Sequence, residues 1–178
     1  MSDHTYILLL RGVNVSGAGK LPMAELRSHL AKAGYEGAKT YIQSGNIILK
    51  SQQDRDEVGT RVQTLIDNEF GFRPPVIVLS MRDLECAIQN NPFEVAEKRF
   101  LHLIFLSENA ALDAEGLTSF CTAGEEFHLD GSVFYLATPN GHGRSKAAEK
   151  LDKFLTADVK TARNLNSIEK ILALAKSL

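Results

Sequence analysis

Thr40-Tyr41-Ile42-Gln43-Ser44-Gly45-Asn46-Ile47-Ile48-Leu49 reads as two short strands about a tight turn. β-Branched and aromatic side chains suit a pleated, half-buried surface, and Gly45 supplies the positive φ that such a turn needs. Upstream, residues 6–10 form an apolar run that Arg11, Gly12 and a loop with Gly17 and Gly19 bring to an end, the pattern of a buried strand leaving a sheet. Between them Met23, Leu26, Leu30 and Ala33 fall on one helical stripe, with Pro22 in the first turn and Gly34 placed to close it. Downstream, Ser51 with Asp54 predicts a capping box, and Val58, Val62, Leu65, Ile66 and Phe70 mark the buried face of a long helix. A short strand at 76–79 follows Pro74-Pro75. Ser80 with Asp83 then caps a helix carrying Leu84, Ala87 and Ile88.

The second half repeats the order of elements without repeating the residues. It has a strand at 100–106, a helix at 110–122, strands at 127–129 and 133–136 about Asp130-Gly131, a helix at 147–155, a strand at 159–162 and a helix capped by Asn166 and Glu169. Two successive βαββαβα units predict an α+β protein of two ferredoxin-like, split βαβ plait domains with antiparallel sheets, 1–92 and 93–178.

Composition narrows the function classes. Twenty Lys and Arg stand against 22 Asp and Glu, a formal charge of -2, so no global field draws nucleic acid or an anionic membrane, and any anion site is local. Cys86 and Cys121 lie in stretches of helical period, which predicts two buried thiols and a reducing compartment. Residues 1–5 lack the pattern of a secretory signal, and no stretch reaches the ~18 apolar residues of a membrane span, so a cytoplasmic location is expected. His4, His29, His102, His128 and His142 are scattered without ligand spacing, and alternation accounts for His102 and His128 in strands. Neither a metal nor a cofactor is expected.

Three polar clusters exceed what turns require. In the loop 11–20, Arg11, Asn14 and Lys20 accompany three glycines between a strand and a helix, where converging N–H groups, a helix N-terminus and cationic side chains favour anions. The loop lacks the Gly-Lys-Ser/Thr ending of a phosphate-binding Walker loop, and Pro22 and Glu25 oppose an anion there. Residues 140–146 repeat this chemistry with Arg144, a Ser145 cap and Lys146, and no carboxylate orients His142 toward Ser145 for nucleophilic catalysis. Arg163 and Asn164 form the third cluster, where Asn164 or Asn166 also suits a helix cap. The hairpin tip Gln43, Ser44 and Asn46 is a similar polar cluster, where turn chemistry explains Gly45 and Asn46 but leaves Gln43 without a local reason.

Leu9-Leu10-Arg11-Gly12-Val13-Asn14-Val15, Pro22-Met23-Ala24-Glu25-Leu26-Arg27, Tyr41-Ile42-Gln43-Ser44-Gly45-Asn46, Gly143-Arg144-Ser145-Lys146 and Thr161-Ala162-Arg163-Asn164 together resemble a bacterial family known as a domain of unknown function. The resemblance spans nearly the whole chain and implies two ferredoxin-like domains in a cytoplasmic protein, with no established reaction. The chain departs from the family pattern at Ser16, where a second Gly is common, and at Leu165, where an aromatic often follows.

The leading expectation is a small anionic ligand, phosphate- or carboxylate-bearing, in a cleft where Arg11, Asn14, Lys20, Arg144 and Arg163 meet. The alternative is a protein interaction or homodimer module. An RNA-binding module ranks last, because Ile47, Ile48 and Leu49 offer no aromatic platform for bases. No catalytic set is identified, and the sequence does not decide whether the protein is an enzyme.

Overall fold

Backbone pairing gathers the apolar runs into two four-stranded antiparallel sheets of the same strand order. The computed structural model describes residues 3–178. It divides into two compact units: one from the start of the described chain to Glu85 together with Glu169–Leu178, the other Cys86–Ile168.

The first unit runs β1 (His4–Leu10), α1 (Met23–Lys32), β2 (Lys39–Tyr41), β3 (Asn46–Ser51), α2 (Arg55–Phe70), β4 (Val76–Ser80) and then α3 (Met81–Gln89), which crosses the unit boundary. Its sheet order is β2-β3-β1-β4. Tyr6, Leu8 and Leu10 with Ile47 and Leu49 form the face that packs on Leu26, Leu30, Val58, Val62 and Ile66 of the two helices. Each such buried aliphatic side chain contributes about 1.5–3 kcal/mol. Ile7, Leu9, Ile48 and Ile77 on the opposite face are buried too, which is why β1 and β3 read as unbroken apolar runs instead of alternating ones.

Capping departs from expectation at one place. Asp54, not Ser51, begins α2 by accepting from the Glu57 N–H at 2.9 Å, while Ser51 Oγ takes the Gln53 N–H. The carboxylate, closer to the helix start, provides the stronger acceptor for the exposed first-turn amides. At α3 the reciprocal pair is as expected: Ser80 N–H donates to Asp83 Oδ2 at 2.7 Å and Asp83 N–H to Ser80 Oγ at 3.1 Å.

The second unit runs β5 (Leu101–Leu106), β6 (Ala111–Leu112), α4 (Ala114–Thr118), β7 (Glu126–Asp130), β8 (Val133–Ala137), α5 (Lys146–Phe154), β9 (Leu155–Thr156) and β10 (Lys160–Asn164), with sheet order β10-β5-β8-β7. The final helix α6 (Leu165–Lys176) starts in the second unit and ends in the first. The helix expected over 110–122 shrinks to five residues. Ala111 and Leu112 pair with Thr156 and Leu155 instead, and Gly116, a weak helix former, packs where a Cβ would lie 2.6 Å from the Phe154 ring. The cysteines also differ from expectation. Cys86 is exposed on α3, and Cys121 is half-buried and lies beyond the end of the shortened α4.

Candidate ligand-binding loops

The first unit collects its polar loops at one end of its sheet. β1 and β2 run into that end and β3 and β4 start from it, so segments 11–22, 42–45 and 71–75 share it. Asn14 fastens two of these segments together. Its Nδ2 donates to the carbonyls of Leu21 and Gln43, both at 2.8 Å, and its Oδ1 accepts from the Leu21 N–H at 2.7 Å. With φ at 54° it occupies the left-handed region that Asn tolerates better than most residues. Leu10 N–H reaches the Gly45 carbonyl at 2.8 Å. A Cβ on Gly45 would lie 2.6 Å from Val13 and 2.8 Å from Leu10, so close approach and a φ of 79° both demand glycine. Asn46, fully buried, closes the turn through Tyr41 O and Ser44 Oγ.

Arg11, Asn14, Lys20, Gln43, Ser44 and Asn46 therefore come to one end of one unit. Their duties differ: Asn14 and Asn46 hold the loops, whereas Arg11, Lys20 and Gln43 are exposed. Arg73 adds a cation there, donating to Thr64 Oγ1 at 3.1 Å, and none of the three segments contains a carboxylate. Val15 and Ile42, at 59% and 51% exposure, are the exposed large hydrophobic residues of the described chain. Ile42 also has φ at 49°, a left-handed conformation that costs a β-branched residue on the order of 1–2 kcal/mol.

The second unit is decorated at the other end of the same topology. His102 is the second residue of β5, Asn164 closes β10 directly opposite it, and the segment 138–145 leaves β8 there. Gly141 turns the chain with φ at 99°, a single 3-10 turn carries His142, Gly143 and Arg144, and Ser145 Oγ accepts from the Ala148 N–H at 3.0 Å to begin α5. The imidazoles of His102 and His142 lie 4.1 Å apart, tilted by 40°. His102 Nδ1 is cut off from solvent and has no hydrogen-bond partner. Burial, with the charge of His142 acting in the same direction, holds the His102 pKa down to about 4, and burial lowers His142 as well. Both rings are neutral at pH 7.

Arg144 is exposed on the same short turn as His142. Ser145 is buried and occupied as a cap, which leaves it no nucleophilic role. Asn164 Oδ1 accepts from the Ser167 N–H at 2.9 Å and so caps α6. Arg163 projects from the other face of β10, buried, and donates to Thr161 Oγ1 and the Ala162 carbonyl, both at 2.8 Å. Burial lowers its pKa to about 10, so it stays charged at neutral pH. The pairing of His102 with His142 had no local signal, since 40 positions separate them in sequence and each alone reads as an ordinary strand or turn residue. Among the described residues no group of three or more His, Cys, Asp or Glu side chains could hold a metal ion, and no helix is long and apolar enough to cross a membrane.

Residues 4–135 match the model of a family described as "Protein of unknown function (DUF1697)". The chain belongs to that family. Among solved structures it is similar to a conserved bacterial protein from Streptococcus pneumoniae, with 24% identity, a TM-score of 0.75, and coverage of 98% of this chain and 99% of the other. That likeness shows a shared fold over the whole length. No curated protein matches the chain. Family membership accordingly places the two loop clusters in a protein family with no assigned reaction, and their chemistry has to be read from the side chains.

Proposed function

We propose that each unit is a ferredoxin-like plait and that the protein binds a small phosphate- or carboxylate-bearing molecule at the 138–145 loop of the second unit. The strand order shared by the two sheets supports the first part. The observation that carries the second is the buried, unpartnered His102 Nδ1 beside the tilted His142 ring. An unsatisfied buried polar atom is costly, and a ligand atom presented over the loop would satisfy it. The surroundings favour an anion: Gly141 and Gly143 let the backbone approach closely, Arg144 and Lys146 supply charge, and the start of α5 adds the partial positive charge of a helix N-terminus. Glu149 in that turn is offset by Lys150 at 2.6 Å. The exposed Cys86 thiol suits a reducing, cytoplasmic setting.

A heat-denaturation screen with inorganic phosphate, nucleotides and carboxylate metabolites tests this reading. At least one compound is expected to raise the midpoint, and Arg144→Ala and His102→Phe are each expected to abolish the rise. A screen with no such compound eliminates the proposal. The composite cleft predicted from sequence makes a further demand, that Arg11→Ala weaken the same ligand. If Arg11→Ala leaves binding unchanged, the site is confined to the second unit.

A protein-interaction reading is favoured by a separate observation, the exposure of Val15 and Ile42 on joined loops. Burial of Ile7, Leu9 and Ile48 weighs against RNA binding, since that use of a plait needs an accessible sheet face bearing aromatic residues.

A further inference from the structure

We propose that the loop end of the first unit docks a short acidic segment of another protein, one that presents an apolar side chain between carboxylates. This inference is independent of the anion site in the second unit and rests on three features of segments 11–22, 42–45 and 71–75.

The first is charge. Arg11, Lys20 and Arg73 belong to these segments and no carboxylate does, in a chain whose overall balance is -2. The adjoining helix ends hold Glu25, Asp67 and Glu69, of which Glu69 is paired with His29 at 3.1 Å. Field complementarity therefore selects an acidic partner. Next comes apolar exposure. Val15 and Ile42, more than half exposed, lie on loops that the bond from Asn14 Nδ2 to the Gln43 carbonyl joins directly. Inorganic ions make no use of such surface, whereas a peptide side chain does. The third is rigidity. Ile42 is held in a left-handed conformation disfavoured for its type, fixed by the Asn14 and Asn46 bonds on either side, so the apolar side chain is presented without further ordering.

The size of the surface separates the occupants. The exposed part of the three loops is smaller than the roughly 20–30 residues a side of a standard protein interface, which fits a short segment better than a second copy of the chain. Nucleic acid would find the cations but no exposed aromatic side chain to stack on, since Tyr41 and Phe72 at this end are half-buried.

The test pans a phage-displayed library of random dodecapeptides on the full chain, with deselection on a Val15→Ser/Ile42→Asn double variant. The enriched sequences are expected to carry Leu, Ile, Phe or Met flanked by Asp or Glu. A synthetic peptide of that sequence should bind with an affinity that drops at least tenfold in Arg11→Glu and in Ile42→Asn, and about tenfold between 50 and 300 mM salt as surface charge is screened. Backbone amide shifts of the unsubstituted protein on titration should concentrate in residues 11–20 and 42–45, a readout that does not depend on any variant folding. Three results would overturn the proposal. Enrichment could be absent or favour basic peptides, sedimentation could show a dimer that Ile42→Asn dissolves, or oligouridylate could shift these amides while the peptide does not. Loss of anion binding through Arg144→Ala leaves all of these readouts unchanged, so the two proposals fail separately.

Discussion

The two units share one strand order and are equipped at opposite ends. In the first, the functional candidates sit where β1 ends and β3 begins, held by side-chain amides; in the second, they sit where β5 begins and β8 and β10 end, held by helix caps and a histidine pair. The lesson is that the sheet supplies a frame with two sets of loops, and polar chemistry accumulates at whichever set the local packing can order. Asn14 does this by cross-bonding backbone. The second unit instead half-buries two imidazoles and leaves one sealed nitrogen unpaired, a more costly arrangement.

Three experiments break or sharpen this contrast. Removing the amide clamp has the largest expected effect. Asn14→Ala deletes three hydrogen bonds, strands the Leu21 N–H and places Ala at φ 54°, for a loss of about 3 kcal/mol in urea denaturation. Amide exchange should quicken in residues 11–21 and 43–45 and stay unchanged around 138–145. An equal response in both loops would mean the two ends are not ordered independently.

Acid should act on the second unit. The folded pKa of His102, about 4, lies below the 6.5 of an unperturbed imidazole, so the unfolded chain takes up its proton first as pH falls. The associated stability is complete above about pH 6.5 and is lost on the way down to about pH 4, amounting to about 3 kcal/mol. Urea midpoints measured across that window should fall for the unsubstituted protein and fall much less for His102→Leu. A curve with no slope between those limits would contradict the buried neutral pair.

The smallest effect has the opposite sign. Ile42→Asn relieves a β-branched residue of its left-handed conformation and should stabilise by about 0.5–1 kcal/mol, seen as a rise of a few degrees in the thermal midpoint. A drop would show that Ile42 serves packing, not display.

Most of the fold was legible because it is written in short-range pattern. The hairpin at Gly45, the stripe of α1, the reciprocal caps at Ser80 and Asp83 and the Gly131 turn all follow from neighbouring residues. α4 was not, since its start is displaced by the pairing of Ala111 and Leu112 with Thr156 and Leu155, which meet only after folding. The site was legible in its residue types and obscure in its geometry. Arg11, Lys20 and Gln43 could be marked as polar without local cause. That Asn14 would spend its whole amide on Leu21 and Gln43 requires contacts across 7 and 29 positions. His102 reads as a strand residue until His142 is laid against it.

The final helix brings one more consequence. Because 169–178 is built into the first unit, with Lys39 bonded to Ser177, Lys50 to the Leu178 carbonyl and Lys176 paired with Glu85, that unit lacks a part until after the other has been synthesised in full. On the ribosome the usual order is thus reversed: residues 86–168 have everything they need first, and the first unit waits for residues 169–178 to emerge.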